Sequence, residues 1–296
     1  MQLRRTAALL ALVMPAALGA QELAPLILRL PSGPRSLALG NTGIASRDDE
    51  VIFFNPAQLA IATGFSVSGQ TLSRSAGTGA LSAVTRFNGG GIGIGMKLAN
   101  YETPLGVFPA TRRSMLDAGN AVAGSVEASV GLAQVIKGVR AGVVAKYAED
   151  VVSSIRLGRP LADVGLAKDM FRSTIGLAVQ NIGEDGNVNA GFFHVPLKTT
   201  LGIAHARPVG PYDIAVTGAV ALIRDEFVQP SGGAEINYSW LNGYNIALRA
   251  GARRSIVGEE PFTAGAGFTM DRLSVDYALE TLSNRRVGHR VGLRVR

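Results

Sequence analysis

The sequence predicts an all-β fold: a transmembrane antiparallel β-barrel of about fourteen strands, preceded by an amino-terminal plug or hatch segment. Three observations carry this expectation. The chain of 296 residues is 47% hydrophobic, holds 37 glycines and is only 17% charged, whereas a soluble domain averages roughly 25% charged residues and 7% glycine. After residue 20 there is no apolar run of the roughly 18 residues a spanning helix needs, which leaves a closed barrel as the membrane solution. Apolar residues then recur with period two, and the segments that carry this pattern are joined by connections that alternate between short and long. A periplasmic β-sandwich is the soluble alternative, but nothing in a sandwich requires that alternation.

The first element is a targeting segment. Arg4 and Arg5 precede the apolar run 7–14, and the small residues of 16–20 follow. This is the order of a cleaved secretory signal peptide over residues 1–20, with cleavage after Gly19 or Ala20. The chain has no cysteine. A lipid-modified amino terminus, a disulfide framework, thiol catalysis and Cys-ligated metal sites are therefore excluded. The formal charge is +7, two less without Arg4 and Arg5, and its basic residues are scattered among few aromatics (6%). An exported chain of that kind is not expected to bind nucleic acid.

Residues 21–63 come next. They hold Leu-Ile-Leu, Leu-Ala-Leu and Val-Ile-Phe-Phe stretches that must be buried, and the acidic run Asp48-Asp49-Glu50 leads into Phe53-Phe54-Asn55-Pro56-Ala57. A fourteen-strand barrel is wider than the roughly eight strands whose own side chains fill the bore. The segment is therefore expected to fold inside as a hatch; a flexible periplasmic arm and an additional wall strand are the alternatives. Pro56 stops the preceding segment, Asn55 is placed to cap or brace backbone groups, and Phe53 and Phe54 offer an apolar surface. Asp48, Asp49 and Glu50 are expected to pair with inward cations such as Arg249 or Arg290.

The barrel is assigned to residues 64–296. Its strands are expected near 64–73, 78–87, 90–101, 124–136, 138–149, 161–169, 173–182, 197–206, 211–222, 230–239, 242–253, 261–270, 272–281 and 287–295. In "GIGIGMKLANY", Ile92, Ile94, Met96 and Leu98 alternate with glycines and Lys97; "RLSVDYALE" sets Leu273, Val275, Tyr277 and Leu279 against Ser274, Asp276, Ala278 and Glu280. Long connections are expected at 102–123, 150–160, 183–196, 223–229, 254–260 and 282–286. Charges at Lys97, Glu127, Arg140, Lys146, Arg249, Arg253, Asp276, Glu280, Arg290 and Arg294 all fall opposite the apolar face. A Lys or Arg facing lipid at mid-bilayer costs about 2–4 kcal/mol, so these positions are assigned to the lumen.

No catalytic chemistry is expected, and no cofactor or metal. "GGGIGIGMK" lacks the Gly-Lys-Ser/Thr order and the helix start of a phosphate loop, and reads as a strand whose glycines face a crowded interior. His194, His205 and His289 have no metal-ligand spacing. A pairing of His289 with Ser274 is conceivable, with nothing in the spacing to single it out.

"GPRSLALGNTGIASRDDEVIFFNPAQLA" (33–60), with Asp48-Asp49, Phe53-Phe54 and Asn55-Pro56-Ala57 in order, resembles the amino-terminal signature of FadL-like outer-membrane proteins, especially the PorV/PorQ branch. "ADVGLAKDMFRSTIGLAVQNIG" (162–183), "VPLKTTLGIAHA" (195–206) and "LRAGARR" (248–254) extend the resemblance over most of the chain. Gln58 departs from the glycine usual after Asn-Pro-Ala, and Arg296 from the usual terminal aromatic. The resemblance implies a fourteen-strand outer-membrane barrel with an amino-terminal hatch, set among outer-membrane lipid. It also implies passive transport of a hydrophobic small molecule such as a fatty acid. Partnership with type IX secretion machinery or its cargo proteins is the alternative, and a structural or general-diffusion barrel a third. For transport, Leu105, Phe108, Arg112 and Arg113 of the longest outer loop are the candidate ligand contacts.

Overall fold

The protein is described here from a computed structural model, over residues 26–71, 76–103, 121–152, 155–188, 191–224, 226, 228–254, 259–282 and 286–296. The expected signal peptide, 1–20, and Leu105, Phe108, Arg112 and Arg113 lie outside them.

Fourteen antiparallel strands close into a barrel. In chain order the first seven are β1 (Gly64–Thr71), β2 (Gly77–Phe87), β3 (Gly90–Thr103), β4 (Ala121–Ile136), β5 (Val139–Val152), β6 (Ile155–Met170) and β7 (Ser173–Ile182). A small hairpin of β8 (Gly186–Val188) and β9 (Gly191–Phe193) follows, outside the wall. The wall resumes with β10 (Lys198–Val209), β11 (Tyr212–Ile223), β12 (Gln229–Leu241) and β13 (Tyr244–Arg253). It ends with β14 (Glu259–Met270), β15 (Leu273–Leu282) and β16 (Arg286–Val295). Strand β16 pairs with β1 from Phe65↔Val295 to Thr71↔His289, which leaves no free edge.

Each of the fourteen expected strands coincides with one wall strand. The alternation of burial along them is the reason: Ile92, Ile94, Met96 and Leu98 are exposed on the outside, while Gly91, Gly93, Gly95 and Lys97 between them are buried. At one end the connections are two-residue turns. Lys137 and Gly138, with φ of 50° and 79°, both occupy the left-handed region that suits the twist of a tight hairpin. The long connections lie at the opposite end. One expectation is corrected there: 150–160 is not a long loop, because β5 and β6 stay paired out to Val152↔Ile155. Backbone pairing continues as long as two adjacent strands have each other's donors and acceptors, and the loss of hydrophobic alternation marks the end of apolar packing rather than the end of the strand.

The outer surface is apolar almost all round. At the short-turn end it carries an aromatic cluster on β11–β14: Tyr212 and Tyr238 have ring centroids 5.4 Å apart, and Trp240 lies 5.9 Å from Tyr244 and 6.2 Å from Phe268.

Residues 26–63 add no strand to the wall. They form short helical turns, with 3-10 turns at Leu26–Leu28, Asp49–Phe53 and Pro56–Ala60 and one helical turn, α1, at Pro34–Ala38. Val51, Ile52, Phe53, Phe54 and Leu59 are buried together with Val84, Ala133 and Val144 from the inner face of β2, β4 and β5. The greasy stretch after the acidic run therefore packs against the wall from inside.

Glycines make room for it. A Cβ at Gly95 would sit 2.7 Å from Phe53 Cε1, and one at Gly93 would sit 2.8 Å from Leu59 Cδ2. Several such glycines face each other across strand pairs, as in Gly93↔Gly131, Gly142↔Gly165, Gly176↔Gly202 and Gly233↔Gly251. The wall is thinnest where the segment comes closest.

Candidate functional site

The acidic run is the starting point. Asp49 is fully buried, accepts from Arg294 Nε at 2.9 Å and from Ser82 Oγ at 2.5 Å, and is also bonded by Ser66. Glu50 accepts from Arg294 Nη2 at 3.0 Å. Asp48 pairs with Arg35, at 2.7 Å, and Arg35 pairs in turn with Glu235 at 3.1 Å. Arg249 joins Glu235 (2.5 Å) to Asp276 (2.6 Å), and Asp276 lies 3.4 Å from Arg294. Charges of alternating sign thus run in a chain from Asp48 to Asp49 that ties the amino-terminal segment to β12, β13, β15 and β16.

This corrects the expected pairing of the acidic run with Arg249 or Arg290. Arg290 lies two side-chain repeats away from Arg294 along β16. It donates to Ser32 O (2.8 Å), Gln70 Oε1 (3.0 Å) and Thr78 Oγ1 (2.6 Å) instead. Burial pushes the Glu50 carboxyl up to about 7, with Asp48 and Asp49 adding to the rise and Arg294 opposing it. Burial also raises Asp48, but Arg35 and Arg294 outweigh it and hold that carboxyl below its ordinary value.

The Asn55-Pro56-Ala57 stretch is braced against the opposite wall. Asn55 Oδ1 accepts from the Ala57 N–H at 3.1 Å, capping the turn that Pro56 opens. Its Nδ2 donates to Ile44 O at 3.0 Å and to the wall carbonyl of Leu166 at 3.2 Å. Gly165 and Gly176 permit that approach, since a Cβ on either would collide with the Asn55 amide. Gln180 Nε2 donates to Phe53 O at 2.9 Å.

The remaining charges named from the sequence are all on the inner side and mostly paired. Lys97 bonds Glu127 (2.7 Å) and Ile27 O (2.9 Å), with its ammonium 5.4 Å from the Phe53 ring centroid. Lys146 pairs with Asp163 at 2.8 Å, Arg140 with Asp169 at 2.8 Å and Arg253 with Glu280 at 2.7 Å. Asp163 and Glu235, which complete these pairs, went unnamed in the sequence although the same strand parity places them inside. Ser274 and His289 are not brought together. Ser274 is buried inside beside Thr269 (2.9 Å), whereas His289 is exposed outside and bonded to Tyr277 OH at 2.6 Å.

Two cavities flank the segment. Toward the long-loop end, a cavity of about 90 Å³ is lined by Phe53, Phe54, Lys97, Glu127, Lys146 and Lys198 among others. Toward the short-turn end, a space of about 680 Å³ is lined by Arg35, Asp48, Ala204, Ala215, Thr217 and Glu235 among others. Residues 40–44 border the first, and Leu39, Thr42 and Ala45 border the second, so Thr42 faces both. Gly40 and Asn41 there have φ of 70° and 63°. The sequence offered only one cue to this partition, the turn-forming Gly40-Asn41 pair.

No family model and no curated protein sequence matches the chain. Among solved structures, it is similar to the toluene transporter TodX of Pseudomonas putida, with 13% identity, a TM-score of 0.61, and 90% of this chain and 97% of that one covered. It is similar to the CymD monoaromatic hydrocarbon channel at 11% identity and TM-score 0.62, over 89% of this chain and 96% of that one. A FadL homologue of Pseudomonas aeruginosa gives 10% identity and TM-score 0.57, over 89% and 97%. The chain therefore shares, along nearly its whole length, the fourteen-strand barrel fold of FadL-like and monoaromatic hydrocarbon channels.

Proposed function

We propose that the protein is an outer-membrane channel of the FadL-like class, exported through a cleaved signal peptide, that gives passive passage to a hydrophobic small molecule. Residues 21–63 act as its hatch. The single observation that carries this reading is a closed, apolar-surfaced barrel with two interior cavities parted by one stretch of the amino-terminal segment. An open bore with charged walls would suit free diffusion of polar solutes; a bore divided by a stretch whose Thr42 borders the space on either side suits a route that opens for a ligand. The apolar outer face and the one-sided aromatic cluster fit a bilayer with the short turns at its periplasmic interface. The fold alone does not select a substrate, and the substrates of the similar channels enter here as chemistry only: small, apolar and neutral, or apolar with a polar head.

Native mass spectrometry on protein extracted in mild detergent tests this. A bound small molecule that disappears on the double substitution Phe53→Ala/Phe54→Ala supports the channel. Co-purification of a whole protein without a small adduct would instead favour the secretion-partner duty that the PorV/PorQ-like sequence resemblance implies.

A further inference from the structure

The cavity of about 90 Å³ that Phe53 and Phe54 border on one side has a distinct polar side. That side includes Arg29, Ser32, Asn41, Lys198, Thr200 and Gln229, across from Leu28, Leu30 and Ile44. In five of these a buried side-chain atom has no hydrogen-bond partner: Arg29 Nε, Ser32 Oγ, Asn41 Oδ1, Thr200 Oγ1 and Gln229 Nε2. Ser32 and Thr200 are themselves only 3% and 6% exposed. The lining is also cationic. Lys97 and Lys146 are neutralised by Glu127 and Asp163, and Arg29 by Glu226 at 2.5 Å. Lys198, at the start of β10, has no ion pair or side-chain hydrogen bond among the described residues.

From this we infer that the cavity is a binding site for a compact oxyanion, such as a small carboxylate or a phosphate, anchored by Lys198. An apolar occupant would leave the Lys198 ammonium dehydrated and unpaired, which is unfavourable. An oxyanion accepts a charge-assisted bond from Lys198 Nζ, and the unpartnered Thr200 and Ser32 hydroxyls and Gln229 Nε2 gain an acceptor by turning toward it. The Asn41 amide presents either its oxygen or its NH₂ by turning about its last bond. Size agrees, since a single water needs only about 10–15 Å³ of such space, which leaves room for an acetate-sized anion. The cavity is smaller than the about 150 Å³ of a cavity known to hold benzene. The assignment is independent of what crosses the barrel, and its failure would leave the hydrophobe reading standing.

The test is calorimetric titration of the full chain, folded in detergent at constant ionic strength, with sodium acetate, sodium phosphate and toluene, against sodium chloride. Saturable binding of acetate or phosphate is expected, and which of the two binds more tightly identifies the anion. Lys198→Met should weaken that binding roughly tenfold or more, Thr200→Val less, and Lys198→Arg should retain it. Heat-modifiable electrophoretic mobility checks that each variant folds, and Thr200→Val stands in if Lys198→Met does not. No saturable signal above chloride, meaning that the cavity holds water only, overturns the assignment. So does equal anion binding by folded Lys198→Met, or saturable toluene binding without anion binding.

Discussion

Arg294 Nε on the last wall strand donates to Asp49 Oδ1 at 2.9 Å, and both side chains are almost wholly buried. The bond spans 245 residues of sequence and joins the amino-terminal segment to the strand that closes the barrel. Removing the cation of a buried pair leaves the carboxylate charged without a counter-charge, at about 3–5 kcal/mol. Arg294→Ala is expected to destabilise the folded chain by that order in denaturant titrations, and Asp49→Ala by less, since Arg294 keeps Glu50 and Asp276. A double-mutant cycle between 49 and 294 should show strong coupling, and one between 49 and 290 almost none. Coupling of equal size in both cycles would contradict the chain of charges described above.

The Glu50 carboxyl makes stability dependent on pH. Folded Glu50 keeps its proton up to about 7, whereas an ordinary glutamate releases it near 4.5. The folded state therefore binds the extra proton between those values. Its stabilising effect is fully present below about 4.5 and is lost as the pH rises through about 7, on the order of 3 kcal/mol in all. Limited proteolysis of the amino-terminal segment should accelerate over that interval in the parent chain. Glu50→Gln should flatten the profile; an unchanged profile would assign the pH dependence to another group.

Gly165 lies against the Asn55 amide. Gly165→Ala is expected to displace Asn55 from the Leu166 carbonyl and to cost about 1–3 kcal/mol by overpacking. Gly138→Ala offers no steric clash, since nothing lies within 4 Å of its would-be Cβ; its cost arises only from the positive φ of 79°. Segment proteolysis distinguishes the two, because only the first should expose residues 39–60.

The partition at Thr42 is open to a covalent test, because the chain has no cysteine. Thr217 Oγ1 lies 3.4 Å from Thr42 O. With cysteines at 42 and 217, joining them with a short bifunctional thiol reagent should abolish hydrophobe uptake into proteoliposomes, and the single-cysteine variants treated alike should keep it. Undiminished uptake by a fully cross-linked sample would show that the route bypasses residues 39–45.

The outer face supplies a depth test. Ile94 and Val130 are cross-strand partners, and both are about half exposed (53% and 51%) near the middle of their strands. Val130→Arg should destabilise the protein in lipid by about 2–4 kcal/mol, and Tyr212→Arg, near the short-turn end, by about 0–1 kcal/mol. Equal penalties would argue that the aromatic cluster does not mark a membrane interface.

The sequence by itself determined the strands and the face on which each side chain stands, because a period of two is a local property of extended backbone. It left only residues 88–89 and residue 137 between neighbouring strands for the same reason, since turn chemistry is local, and the structure makes the second turn Lys137-Gly138. The sequence also placed Lys97, Glu127, Asp276 and Arg294 on the inner face. Only the tertiary structure decided which of these charges meet. Arg290 and Arg294 share a face but sit four residues apart, about 13 Å along an extended strand. One therefore meets Ser32 and Gln70, and the other Asp49 and Glu50. Parity fixes a direction but not a depth, and depth depends on how residues 26–63 fold within the wall. The partition at 39–45 and the polar lining around Lys198 belong to that second class, since they exist only where a non-periodic segment meets distant strands, as where Gly40 meets Thr263, 223 residues away.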